Sequence, residues 1–502
     1  MPRRYPVSLM NSRFCRTVAT LSVAILAGAV LGGAIPMLAQ TQQTLTPNQR
    51  LAHDVYKQLI EINTMDTVGS VTKAVDAMAT RFRAAGFPAN DIHILTPPGH
   101  PTKANLIVRY RGTGKQKPLL LLAHLDVVAA LRSDWTIDPF VFNERDGYYY
   151  GRGTSDDKAM ASIFVANLLR DKAAGWKPNR DVILALTADE EGGNANGVDW
   201  LVTNHRDLID AAYAINEGGG GALRAGKPFS NSVQAAEKVP VNFTITATNR
   251  GGHSSVPRRD NAIYELTHAL VHLEQFQFPV QFNEVSRAFF TETAALETGS
   301  VSAAMRAIVA NPNDAAASSV LSADPRYNSM LRTTCVATRL AGGHAYNALP
   351  QTASANVNCR IVPTQTPAEV RATLAQIFAD TGVKITETVA IHEKSGAAPS
   401  PLTPELMIPV MEITHSMFGA HVPVVPVMST GATDGRFLRA AGIPTYGVSG
   451  IFGDPADSRA HGRDERLLVK SYYDGQEFLY RLVHALAGGP PSSPKAGLHG
   501  RG

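Results

Sequence analysis

Apolar positions along this chain fall into two rhythms. The first is short unbroken runs: residues 119–122, 182–186 and 211–215 are built from Leu, Val, Ile, Ala and Tyr. Runs of this length without alternation suit strands buried on both faces, as in a parallel sheet. The second is helical spacing, over 51–85, from a cap at Ser155-Asp156 to about 173, about 198–204, 367–380 and 467–487. A further strand is predicted at 105–108, and the first helical stretch stops at Gly86-Phe87-Pro88. Strand and helix alternate, so the pattern predicts an α/β fold around a mainly parallel sheet.

Near Val239 the rhythm changes. Residues 241–247 alternate as a half-buried strand does, a helical pattern covers 262–275, and strand-like runs follow at 332–340 and 353–362. That set predicts a small α+β domain with one open sheet, inserted into the larger domain. Between its parts, 276–327 is rich in Ala, Ser and Asn and reads as an insertion with some helix. After Pro363 the α/β pattern resumes, with strands at 423–428 and 444–448. The expected organisation is a leader at 1–39, a large domain at 45–238 and 364–488, and an inserted domain at 239–363. A Gly/Pro/Ser-rich tail at 489–502 is expected to be flexible.

Composition narrows the class. With 44% hydrophobic and 18% charged residues in 502, the chain is neither disordered nor a polytopic membrane protein. Its leader carries Arg3, Arg4, Arg13 and Arg16 ahead of an apolar stretch at 18–38. This reads as a secretory signal, with an uncleaved anchor as the alternative, and predicts a secreted or periplasmic protein. Without those four arginines, 43 basic residues balance 43 acidic ones. The formal charge of +4 therefore gives no reason to expect nucleic acid as a partner, nor a membrane beyond the leader. After processing, Cys335 and Cys359 remain, each in a strand-like run. They are expected either to pair or to stay as two buried thiols.

The chemistry gathers where apolar runs stop. Run 119–122 leads into His124 and Asp126, run 182–186 into Asp189, Glu190 and Glu191, and run 211–215 into Glu217. Asp156 and Asp157 follow Gly151-Arg152-Gly153, and His461 lies far downstream. Ligands of open α/β sheets collect at the carboxyl ends of the strands. Acids converging there need cations, so a metal site, with two metals, is the economical reading. Singly, each motif has a plainer explanation. His124 and Asp126 could be a structural pair, Asp156 and Asp157 helix caps, and Glu190 and Glu191 a solvated loop.

In order, the motifs are Leu-Leu-Ala-His-Leu-Asp, Gly-Arg-Gly-x-x-Asp-Asp-Lys, Asp-Glu-Glu, Asn-Glu-Gly-Gly, Gly-Gly-His-Ser-Ser-x-Pro, Asn-Ala-Leu-Pro, Gly-x-Thr-Asp-x-Arg and His-Gly-x-Asp-Glu. Together they resemble the di-zinc metallopeptidase family of carboxypeptidase S, the aminoacylases and succinyl-diaminopimelate desuccinylase. The resemblance implies a parallel-sheet catalytic domain with an inserted lid or dimerisation domain. It implies that Asp156 bridges two zinc ions, which Co2+ or Mn2+ could replace. Glu191 and His461 would complete one site, and His124 and Glu217 the other. Glu190 would be the general base and then the acid, and Asp126 would orient His124. His253 would reach a partner subunit's site, so a homodimer is expected. Asn347, Arg360, Gly431 and Thr433 would bind substrate, Arg360 taking a carboxylate and the loop at 431–434 offering backbone N–H groups to the same carboxylate. Ala159 and Ala432 depart from the family's usual glycines. The implied activity is hydrolysis of a small peptide next to its free carboxylate, as a carboxypeptidase or dipeptidase. N-acyl-amino-acid hydrolysis is the alternative within the class, and a non-catalytic binding protein on the same fold lies outside it.

Overall fold

Strand Gln116–His124 runs parallel to both of its neighbours, Arg180–Thr187 and Tyr213–Asn216. The register pairs Leu122 with Ala185, His124 with Thr187 and Leu121 with Ile215, so all three strands end on one edge. Side-chain alternation sends consecutive leucines to opposite faces. Leu119 and Leu121 join Phe164 and Leu479, from helices Lys158–Ala174 and Val469–Ala487. Leu120 and Leu122 meet Leu201, Phe437 and Leu438 on the other face. Each buried leucine contributes roughly 1.5–3 kcal/mol, which is why the runs are apolar throughout.

The structure is a computed structural model, and it describes residues 44–379, 381–387 and 397–488. The leader and tail of the sequence reading lie outside these residues. Among them, the three central strands belong to a ten-stranded mixed sheet. Its antiparallel additions are Ile92–Leu95 and Asn105–Tyr110 on one side and Lys227–Glu237 with Gly221–Arg224 on the other. No helix among the described residues is long and apolar enough to cross a membrane.

A second sheet is antiparallel, in the order Thr334–Gly342, Thr352–Ile361, Val239–Thr248, Val383–Glu387. The inserted segment therefore extends beyond the expected limit of 363. Helix Pro367–Ile377 buries Val370 and Leu374 in this sheet's core, and strand Val383–Glu387 pairs Ile385 with Ile245. The stretch at 276–327, expected to be an insertion with some helix, is mostly helical. It forms helices Glu284–Leu296, Gly299–Ala310 and Ala315–Ser322, followed by Pro325–Leu331, with their own core around Phe290, Met305, Ile308 and Leu321. This unit leans on the large sheet: Val285 enters the large core and Asn283 Nδ2 bonds Met428 Sδ.

One local reading changes and one open alternative is resolved. The helical stretch 51–85 is broken into Pro47–Glu61 and Val71–Ala84. At the break, Thr64 Oγ1 donates to the Leu125 carbonyl and Met65 bridges Val127, both beside the end of the central strand. Cys335 and Cys359 stand directly opposite each other on neighbouring strands and form a disulfide.

Candidate metal centre

Three parallel strand ends and two loops build one cluster. His124 ends its strand, Glu190 and Glu191 follow Arg180–Thr187, and Glu217 follows Tyr213–Asn216. Glu217 is set by a close crossing of backbones, where a Cβ on Gly219 would collide with the Gly447 carbonyl. Asp156 comes from the loop before helix Lys158–Ala174, whose N-cap residue, Asp157, makes no side-chain capping hydrogen bond. His461 sits on a distant loop with a left-handed φ of 62°.

The geometry around Asp156 is divided. Its Oδ1 lies 3.0 Å from His124 Nε2, and its Oδ2 lies 3.1 Å from His461 Nε2. Glu191 Oε2 approaches His461 Nε2 at 2.9 Å, and Glu217 Oε1 approaches His124 Nε2 at 3.9 Å. One carboxylate thus faces two separate His/Glu pairs through different oxygens. Donor atoms of His124, Glu190 and Glu217 all lie within 4.8 Å of one another, as do those of His124, Asp156 and Glu191. The carboxylate of Glu190 makes no hydrogen bond or ion pair among the described residues, although its backbone N–H donates to Asp126.

Asp126 acts through both its carboxylate and its backbone carbonyl. Its carboxylate accepts the N–H groups of Glu190 and Glu191 at 3.2 and 3.0 Å, tying two strand ends together. The His124 ring is held by the Asp126 backbone carbonyl, 3.0 Å from Nδ1, with the carboxylate farther off at 3.6 Å.

Electrostatics show what the cluster lacks. Burial, with Asp434 and Glu191 nearby, pushes Glu190 up to about 8. Burial and Asp156 push Glu191 up to about 7, and burial drives Glu217 well above the usual range. Burial also opposes the charge on Asp156, but hydrogen bonds from His124 and His461 outweigh it and hold that group low. The bond to Asp156 raises His461 to about 9. Burial disfavours the His124 cation, yet Asp126 and Asp156 raise it well above its ordinary value. So many buried carboxylates at one place call for positive charge beside them, which divalent cations would supply.

The sign of the pH effect follows. Groups raised on folding stabilise below their unfolded values, 4.5 for Glu and 6.5 for His, and lose that contribution as pH climbs through the folded values. Metal-stripped protein should lose thermal stability from about pH 5 to about pH 9. Added divalent cation should raise the midpoint most at the alkaline end, because ligands must be deprotonated. Thermal melts across this range test it, and a flat or rising midpoint in stripped protein would contradict it.

A tight frame surrounds the cluster. Fully buried Glu465 receives Arg152 Nη1 at 2.7 Å, the N–H groups of Gly153, Ser155 and Asp156, and the Ser155 hydroxyl. It locks the Asp156 loop to the His461 loop. Asp189 is taken by Lys103, with both carboxylate oxygens 2.6 Å from Nζ. The sequence reading gave roles to neither Glu465 nor Lys103. For Glu465, a signal existed in its place four residues after His461, within the same motif as Asp464.

The residues expected to bind substrate come from other parts of the fold, and of these Thr433 touches the cluster's frame, where its hydroxyl accepts from Asn216 Nδ2 next to Glu217. His253 is exposed on the two-residue strand Gly252–His253, and its Nδ1 accepts from Ser255. That strand pairs with Ala348–Leu349, which brings exposed Asn347 beside it. Arg360 lies on the small sheet's second strand. In the loop at 431–434, two of the backbone N–H groups expected to meet a carboxylate are engaged within the protein. Thr433 gives its N–H and hydroxyl to Glu237, at 2.8 and 3.0 Å, and the Gly431 N–H goes to Ser429 Oγ. Glu237 in turn pairs with Arg439.

Known proteins bear on this architecture. A model of peptidase family M20/M25/M40 matches residues 120–485. Human N-fatty-acyl-amino acid synthase/hydrolase PM20D1 is 31% identical over 383 residues, covering 73% of this chain and 74% of that protein. The probable carboxypeptidase S-like 2 of Dictyostelium discoideum is 28% identical over 466 residues, 84% of this chain and 88% of that one. An M20 family metallo-carboxypeptidase from Sulfolobus solfataricus shares the fold, with a TM-score of 0.65 at 19% identity over 87% of this chain and 99% of its own. The chain belongs to peptidase family M20/M25/M40.

Proposed function

We propose that this protein is a two-metal hydrolase that cleaves an amide bond next to a free carboxylate, of carboxypeptidase or dipeptidase type. The observation that carries the reading is Asp156, whose two oxygens face His124 with Glu217 and His461 with Glu191. Two imidazoles and three carboxylates form a mixed nitrogen and oxygen donor set that fits zinc. When bound, two such ions would polarise the scissile carbonyl and acidify a water.

The chain's own residues supply the rest. Glu190, the acid of the cluster whose carboxylate has no hydrogen bond or ion pair among the described residues, takes the proton of the attacking water and hands it to the leaving nitrogen. Asp126 holds Glu190 and Glu191 in place through their N–H groups. Arg360 takes the substrate's carboxylate as a two-pronged donor. The edge strand Thr334–Gly342 leaves Val336 and Leu340 60% and 72% exposed, as a strand awaiting a partner does. A dimer formed there would carry His253 to the neighbouring site, and a fully active monomer in light scattering would exclude this part.

N-acyl amino acids are a second substrate class, favoured by the likeness to the human N-fatty-acyl-amino acid hydrolase. The test is hydrolysis of dipeptides and N-acyl amino acids by zinc-loaded protein, each with its C-terminal amide as control. Turnover of free acids well above amides is expected. Equal turnover of acids and amides, or none of either, would count against the reading.

A further inference from the structure

Lys238 joins the two sheets: strand Lys227–Glu237 ends before it and strand Val239–Thr248 begins after it. Its side chain is fully buried, yet no carboxylate lies within 4.0 Å of its ammonium among the described residues. Its Nζ donates to Thr334 Oγ1 at 3.1 Å. Thr334 stands directly opposite Arg360 on the neighbouring strand, and Arg360 also faces Pro240, two residues beyond Lys238. Positions two apart share a face, so the register gathers the ammonium and the Arg360 guanidinium on one side of the small sheet.

The surroundings add further positive charge. Buried Arg332, two residues before Thr334, bonds only neutral acceptors: the Phe278 carbonyl and the hydroxyls of Ser318 and Ser322. The side chains of Arg360 and Arg436 have no ion pair or hydrogen bond among the described residues, and the Arg436 Nε is buried without a partner. The Arg436 charge is felt by both Asp434 and Arg360. Burying a lysine beside an arginine without an acid costs stability. A carboxylate arriving at Arg360 would offset that cost.

We propose that Lys238 is a positioning residue for substrate recognition, whose buried charge, relayed by Thr334, strengthens the hold of Arg360 on the substrate's carboxylate. The inference rests on the reading of Arg360 as the carboxylate's receiver. It also makes recognition depend on pH. Burial, with Arg360 and Arg332 adding to it, pushes Lys238 down to about 7. These are the charged groups that face it. On the large-sheet side the Ser429 carbonyl accepts its backbone N–H, and neighbouring Glu237 is engaged by Arg439 and Thr433. A carboxylate on Arg360 favours the charged ammonium, so free-acid substrates bind with proton uptake. Their KM rises as pH passes through neutrality.

The experiment measures KM and kcat from about pH 6 to about pH 9 for a hydrolysed dipeptide and its C-terminal amide. It compares wild type with K238M, K238R and R360A. The ratio of acid to amide KM removes titrations of the metal site that both substrates share. In wild type this ratio should rise about tenfold across the range, the effect of one pKa unit of coupling. K238M should start about tenfold high and show no slope, with kcat within about twofold of wild type. K238R should keep a low, flat ratio, because a guanidinium stays charged. A flat ratio in wild type, or an unchanged ratio in K238M, overturns the proposal. Should K238M fail to fold, the wild-type slope and the K238R profile decide alone. Equal losses on acid and amide in R360A would instead overturn the reading of Arg360 itself, which separates the two failures.

Discussion

Glu190→Gln is expected to keep both metal ions and lose about a hundredfold or more of kcat, the contribution of a positioned general base. The substitution is nearly isosteric, and the backbone N–H of residue 190 still reaches Asp126. His124, Asp156, Glu191, Glu217 and His461 remain in place, so metal content should not change. Among the clustered acids, Glu190 alone is placed close to the others without a hydrogen bond or ion pair of its own among the described residues. Burial raises its proton affinity toward neutrality, which suits a group that must both accept and return a proton. Metal analysis paired with steady-state kinetics tests the prediction. A fully metallated variant with near-normal turnover would remove Glu190 from the chemistry.

Glu465→Ala is expected to destabilise the protein by about 3–5 kcal/mol, the cost of leaving one partner of a buried ion pair alone. The stranded partner is Arg152, 2% exposed, whose other contacts are the backbone carbonyls of Ala129, His461 and Gly462. Three backbone N–H groups at 153, 155 and 156 would lose their acceptor together. Those groups set the Asp156 loop, so metal affinity should fall with stability although Glu465 touches no metal. Denaturant unfolding and metal titration measure the two effects. A loss below about 1 kcal/mol would mean that the loops are fixed by other contacts.

The central strands were legible because a strand buried on both faces has no choice but to be apolar. Gln116–His124 and Arg180–Thr187 follow their runs to within a few residues. Strand Lys227–Glu237 was not legible, although it extends the large sheet and ends in Glu237. Its buried positions include Asn231, bonded to Thr414, and Gln234, bonded to Glu237, so polar partners hidden in the fold replace the apolar signal. The inserted domain's end was misplaced for a related reason. Helix Pro367–Ile377 carries the same apolar spacing whichever sheet it covers, and nothing local says that Val370 and Leu374 face the small one. At the site, the acids and histidines at strand ends were readable from position alone. Their division into two pairs around Asp156 came only from the family resemblance, because His461 lies more than 300 residues away and position alone does not bring it there. Lys238 left no mark in the pattern, since a lone lysine between two strands reads as a surface turn.

The most direct test of the account is metal content in wild type and Asp156→Ala, each stripped, reloaded with zinc and measured by elemental analysis after gel filtration. Asp156 faces both histidines through separate oxygens, so its removal should weaken both sites together. The account predicts two zinc ions per wild-type chain and neither held tightly by the variant, which should be inactive and less stable. Two tightly held ions in Asp156→Ala, or full wild-type activity with fewer than two, would contradict it.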